Sequence, residues 1–114
     1  MYPQDTCLES DWKLFRKRVP VWQERYMGRL MEEYRAILES EKLPSEKFWA
    51  LEKRIWQDKK CPGVIVDMRR STMREELLQM LFQGVIQPSD LEGFSQELRD
   101  SLTFGMQKCS GQGE

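Results

Sequence analysis

The chain has 114 residues, 39% hydrophobic and 32% charged, with a formal net charge of −1 and no histidine. That length builds one domain with a real core, and that balance belongs to a folded, soluble chain rather than a disordered one. The missing histidine removes the usual proton shuttle near neutral pH and the commonest metal ligand, and with them most enzyme readings.

The small net charge hides alternating blocks: +2 over residues 1–29, −3 over 30–41, +5 over 42–74 and −5 over 75–102. Such blocks attract one another when helices fold back, which is the simplest reading. A basic face aimed at nucleic acid or acidic lipid is the sharper alternative.

Residues 1–9 read as an irregular lead. Ser10 or Asp11 can cap a first helix whose Trp12, Phe15 and Val19 lie on one face. Pro20 either opens a second helix or interrupts a continuous one. From Val21 to about Glu41 the stripe Trp22, Tyr26, Leu30, Tyr34 or Ile37, and Leu38 predicts helix, widened by Met27 and Met31. Lys42-Leu43-Pro44 is a break, and Ser45 is a good N-cap for the next helix, which runs to about Lys60. Cys61-Pro62-Gly63 is the strongest breaker in the middle of the chain.

Helical spacing resumes with Val64, Ile65 and Met68, then Met73, Leu77, Leu78, Leu81 and Phe82. Val64-Ile65-Val66 has strand character but no partner strand, so helix is expected there. Thr72 with Glu75 has capping-box spacing, and Gly84 suits a C-cap. Pro88-Ser89 opens the last helix, with Leu91, Phe94, Leu98 and Leu102 as its core stripe. From Phe104 the composition predicts a flexible tail. The expected architecture is therefore all-α: a single domain over residues 1–103 and a tail over 104–114. Four to five helices pack as antiparallel hairpins, 11–41 against 46–60 and 64–83 against 89–103, in a small orthogonal or up-down bundle.

The segment Leu77 to Ile86, followed by Asp90-Leu91-Glu92-Gly93-Phe94 and Leu98, resembles the SHOCT-type short helical hairpin. The resemblance covers residues 77–102: an apolar helix, a Gly-x-Ile turn, an acidic cap region and a second apolar helix. It implies an oligomerisation or docking element without catalysis. The second helix departs from that family in carrying Ser95, Gln96 and Glu97 in place of lysines. The chain as a whole also resembles small, uncharacterised bacterial helical proteins.

No constellation of reactive groups emerges. Glu32/Glu33 and Glu75/Glu76 are adjacent on helices and so point about 100° apart, which keeps them from converging as an acid–base pair. A di-metal carboxylate bundle needs histidine. Cys61, preceded by Lys59 and Lys60, is the best nucleophile in type, but it has no base. Cys7, Cys61 and Cys109 are odd in number and lack pair spacing, which predicts reduced thiols and a cytoplasmic protein. No apolar run approaches the ~20 residues of a membrane span, and the N-terminus lacks a signal-peptide pattern. No catalysis, cofactor, metal or membrane is expected.

Two contact readings remain. Surplus aromatic area on the helix after Pro44 predicts a partner-binding or self-association surface of Phe48, Trp49 and Trp56, rimmed by Lys53 and Arg54. The alternative is phosphate binding to nucleic acid by Arg16, Lys17, Arg18, Arg69, Arg70 and Arg74.

Overall fold

The computed structural model describes residues 8–112, with side chains through Lys108. Among the described residues four α-helices carry the fold, α1 (Glu9–Leu38), α2 (Pro44–Asp58), α3 (Met73–Phe82) and α4 (Gln96–Gln112), with short 3₁₀ turns at Arg70–Thr72 and Pro88–Leu91. Among the described residues there is no strand.

The first 30 residues of helix form a single element, because Pro20 lies inside α1 without ending it. An interior proline costs roughly 3 kcal/mol. Four large residues spaced along one stripe outweigh that cost: Trp12, Phe15, Val19 and Trp22 are all buried in the same core. Pro20 itself is exposed. A 30-residue helix is about 45 Å long, and α1 sets the long dimension of a 53 × 35 × 22 Å molecule. The radius of gyration is 16.8 Å, well above the ~13 Å of a compact chain of this length.

The excess length is an arm. The core gathers the N-terminal half of α1 with Cys61, α3, the 85–94 segment and α4. The C-terminal half of α1 continues past it and pairs with α2. Their polar contacts run in opposite senses. Lys47 Nζ donates to the Leu38 carbonyl at 2.7 Å, Arg54 reaches Glu33 at 2.6 Å, and the Tyr34 hydroxyl donates to Asp58 at 2.6 Å. Further on, Gln23 Nε2 donates to the Pro62 carbonyl at 3.2 Å. Leu30 is buried but stands outside the main core cluster.

Residues 59–69 correct the expectation of helix from Val64. Turns carry the chain through Gly63 and Val64, and 65–69 are irregular. Pro62 ends helical pairing, and Gly63 passes so close beneath the Tyr26 ring that any Cβ there would overlap it. Cys61, buried, accepts a hydrogen bond from the Gly63 N–H at 3.4 Å.

α3 ends in a Schellman motif. The Val85 N–H donates to the Met80 carbonyl at 2.8 Å and the Gly84 N–H to that of Leu81 at 3.3 Å. Gly84 takes φ +73°, the left-handed conformation that glycine adopts without strain. The last helix begins later than Ser89. Pro88–Leu91 makes only a 3₁₀ turn, Gly93 turns the backbone at φ +99°, and α4 starts at Gln96. Its cap is Ser95, whose Oγ accepts from the Leu98 N–H at 3.2 Å. The stripe Leu91, Phe94, Leu98 and Leu102 is buried as its spacing predicts. The expected tail is helical as far as Gln112. Cys7 and the Cys109 side chain lie outside the described residues.

One buried charge joins the ends of the fold. Asp11, in the first turn of α1, is 1% exposed. Its carboxylate accepts from the Ser95 N–H at 2.8 Å and from the Ser95 hydroxyl at 2.6 Å. Asp11→Ala takes the acceptor away from two part-buried donors at the cap of α4. It is expected to cost about 2–4 kcal/mol and to lower Tm by roughly 8 °C or more. The exposed control Glu24→Ala is expected within about 0.5 kcal/mol of wild type. Thermal melts of the two variants check this.

Candidate partner-binding surface

α2 is built as a helix from its first residue. Leu43 is the N-cap, Pro44 fills the first helical position, and Glu46 reaches back to accept from the Leu43 N–H at 3.0 Å. Ser45, expected as the cap, is the second residue of the helix. The side of α2 that meets α1 is largely polar. Arg54 bonds Glu33 and also Asp58 at 3.4 Å, and its guanidinium lies 5.6 Å from the Tyr34 ring centre. Burial, helped by Asp58, pushes the Tyr34 phenol up to about 12. The Glu33 hydrogen bond pushes Arg54 further up. Arg54 is therefore part of the α1–α2 joint, not the rim of an outer patch.

No residue of α2 is buried. Phe48 is 62% exposed, Trp49 64%, Ile55 40% and Trp56 54%. Phe48 and Trp49 meet edge-on with centroids 4.9 Å apart. Lys60 Nζ sits 3.5 Å from the Trp56 ring centre, a cation held on an aromatic face at one end of the patch. Lys53 is exposed beside it. The structure thus places Phe48, Trp49, Lys53 and Trp56 on the uncovered side of one helix. Leu38 and Leu43, at the tip of the arm, are exposed too. Their signal is weak in sequence, since Leu38 fits the same helical stripe as buried Leu30.

Four of the six basic candidates hold partners within the chain, and Arg16 and Arg70 lie over the same Trp12 ring, 5.9 and 5.5 Å from its centre. Arg18 donates to the carbonyls of Asp90 at 2.9 Å and Glu92 at 2.5 Å. Arg69 pairs with Asp67 on the linking loop. Arg70 bonds the Glu9 carboxylate at 2.9 and 3.0 Å, and Arg74 bonds Ser101 Oγ at 2.5 Å and the Ser101 carbonyl at 3.2 Å. Arg70 and Arg74, four apart in sequence, are thereby drawn to different partners. Arg16 and Lys17 are exposed on α1.

The carboxylate pairs also separate. Glu33 goes to Arg54 and Glu32 to Arg35. Glu75 lies 3.7 Å from Arg74, while Glu76 accepts from the Asp67 N–H at 3.3 Å. Burial holds Glu76 above its ordinary value. Among the described residues no three Cys, Asp or Glu side chains gather as a metal site, and no helix is long and apolar enough to cross a membrane.

Sequence reasoning did not single out the clamp that α1 lays across the 84–92 segment. Arg25 bonds both Asp90 carboxylate oxygens, at 3.1 and 2.9 Å, and the Val85 carbonyl at 3.3 Å. Arg29 donates to the Gly84 carbonyl at 2.7 Å. With Arg18 these lie seven and four apart along one helix, a spacing that could have revealed them.

No protein-family model matches the chain, and neither a curated protein nor a solved structure resembles it significantly.

The Arg25 hydrogen bonds hold the Asp90 carboxyl below the usual carboxylate range. Its folded-state value is depressed. The stability it contributes is therefore present above the ordinary value near pH 4 and is lost as pH falls through the lowered folded value. Arg25→Gln is expected to cost about 1 kcal/mol at neutral pH, since the pair is partly exposed. The variant should also flatten the loss of stability below about pH 4. Urea unfolding at pH 7 and pH 3 reads both effects.

Proposed function

We propose that the protein is a non-catalytic interaction or oligomerisation module that docks through the outer face of α2. The observation that carries this reading is the uncovered set Phe48, Trp49, Ile55 and Trp56 on a helix that buries no residue of its own. Exposed Trp and Phe gathered on one rigid element are costly to leave in water and are the residue types that dominate interface energetics. Lys53 and Lys60 supply the polar edge that interfaces carry. The apolar residues of the 77–102 hairpin support α2 as the docking element rather than that segment, because Leu77, Leu81, Leu91, Phe94, Leu98 and Leu102 are spent on the core. The arrangement of α1 against α2 as an antiparallel hairpin belongs to the same reading: it makes the arm a stiff support for the patch.

Nucleic-acid binding has less behind it. Arg18, Arg69, Arg70 and Arg74 all hold partners within the chain. Retention on heparin at low salt, lost steeply with added salt, would favour that alternative.

The test is Trp49→Ala with Trp56→Ala, followed by mass in solution, partner binding and thermal melting. The expected result is loss of the complex with Tm within about 4 °C of wild type, as for surface substitutions. Unfolding of a protein that was monomeric throughout would remove the reading.

A further inference from the structure

We propose that the occupant of this face is a second copy of the chain, laid antiparallel so that Glu52 of each copy faces Lys59 of the other. The inference rests on the docking role of α2 and goes further by naming the partner and its orientation.

The charge pattern inside the apolar strip selects the partner. At 100° per residue, Phe48 and Ile55 form one line along α2, and Trp49 and Trp56 form another. Between them runs a seam of residues seven apart: Ser45, Glu52 and Lys59. Lys59 is the C-cap, with φ −60° and ψ −19°, so it keeps the helical phase of the seam. The only charges on the seam are therefore one anion and one cation, about 10 Å apart along the axis.

Among the described residues neither has an ion pair or side-chain hydrogen bond within the chain, whereas Glu33, Arg54 and Asp58 on the other side are all paired. Covering the strip with an apolar surface would strand both charges, which is costly. A uniformly acidic or basic partner would satisfy one and repel the other. A parallel copy sets Glu52 against Glu52 and Lys59 against Lys59. An antiparallel copy pairs both charges, twice, by its two-fold symmetry.

That register puts the two-fold axis near Ile55 and Trp56, so these residues meet their own counterparts across it. The net charge of −1 leaves little long-range repulsion between copies.

The experiment is sedimentation of wild type, Glu52→Lys, Lys59→Glu and the double swap over a range of concentrations, with melting curves for each. Wild type is expected as a reversible dimer. Each single change should weaken it by about tenfold or more, and the double swap should bring it back to within about threefold. Both sites are exposed, so the melting curves should coincide apart from dimerisation. A dimer indifferent to the single changes, or singles not rescued by the double swap, overturns the proposed register. A wild type that stays monomeric removes the second copy as occupant. In that case, binding of a different protein that depends on Trp49 and Trp56 would leave the docking role of α2 standing. Failure of Trp49→Ala with Trp56→Ala to alter any association would remove both.

Discussion

A single buried carboxylate ties the two ends of this fold together. Asp11 stands in the first turn of α1, where the helix dipole favours a negative charge. It accepts from the backbone and hydroxyl of Ser95, which caps α4. One anion thus links the first turn of α1 to the capping residue of α4, more than eighty residues away. The requirement is strict because a buried charge is tolerated only where hydrogen bonds replace water. With those two ends fixed, Trp12 and Phe15 on α1 and Leu98 and Leu102 on α4 enter one core.

The same helix then acts as a spine. Arg18, Arg25 and Arg29 reach from it to the carbonyls of residues 84, 85, 90 and 92. That segment carries the end of α3 into the start of α4. It contains two glycines with positive φ and, as regular structure, only a short 3₁₀ turn. Carbonyls left over at a helix end need donors, and charged guanidinium groups are strong ones. Trp22 packs on Phe94 beneath them, with centroids 6.3 Å apart, so polar and apolar contacts fix the same loop from two sides.

Beyond the core the balance changes. The arm of α1 and α2 is held mainly by Lys47, Arg54, Tyr34, Glu33 and Asp58, with Leu30 buried and Ile37 and Leu51 half-covered. Partly exposed ion pairs each contribute little. An arm built this way keeps its outer aromatics free of the core, because neither α3 nor α4 extends far enough to cover them. α2 therefore presents its apolar strip on a frame anchored through Cys61, Pro62 and Gly63 to the main body.

The sequence by itself determined the helical class, the breaks at Pro44 and Pro62–Gly63, the Gly84 turn, and the core stripes through Trp12, Phe15, Val19, Leu77, Leu98 and Leu102. These follow from spacing and from local backbone chemistry, which neighbouring residues alone decide. It also marked Phe48, Trp49 and Trp56 as more aromatic surface than one helix needs. Only the tertiary structure decided that Pro20 would be spanned, since packing on both sides of it had to outweigh its local cost. Only the tertiary structure decided that α4 starts at Gln96 behind the Ser95 cap, since the partner of that cap, Asp11, is remote in sequence. The same holds for the outer face of α2. Whether a tryptophan is core or surface depends on how far the other helices reach, and no local pattern contains that distance.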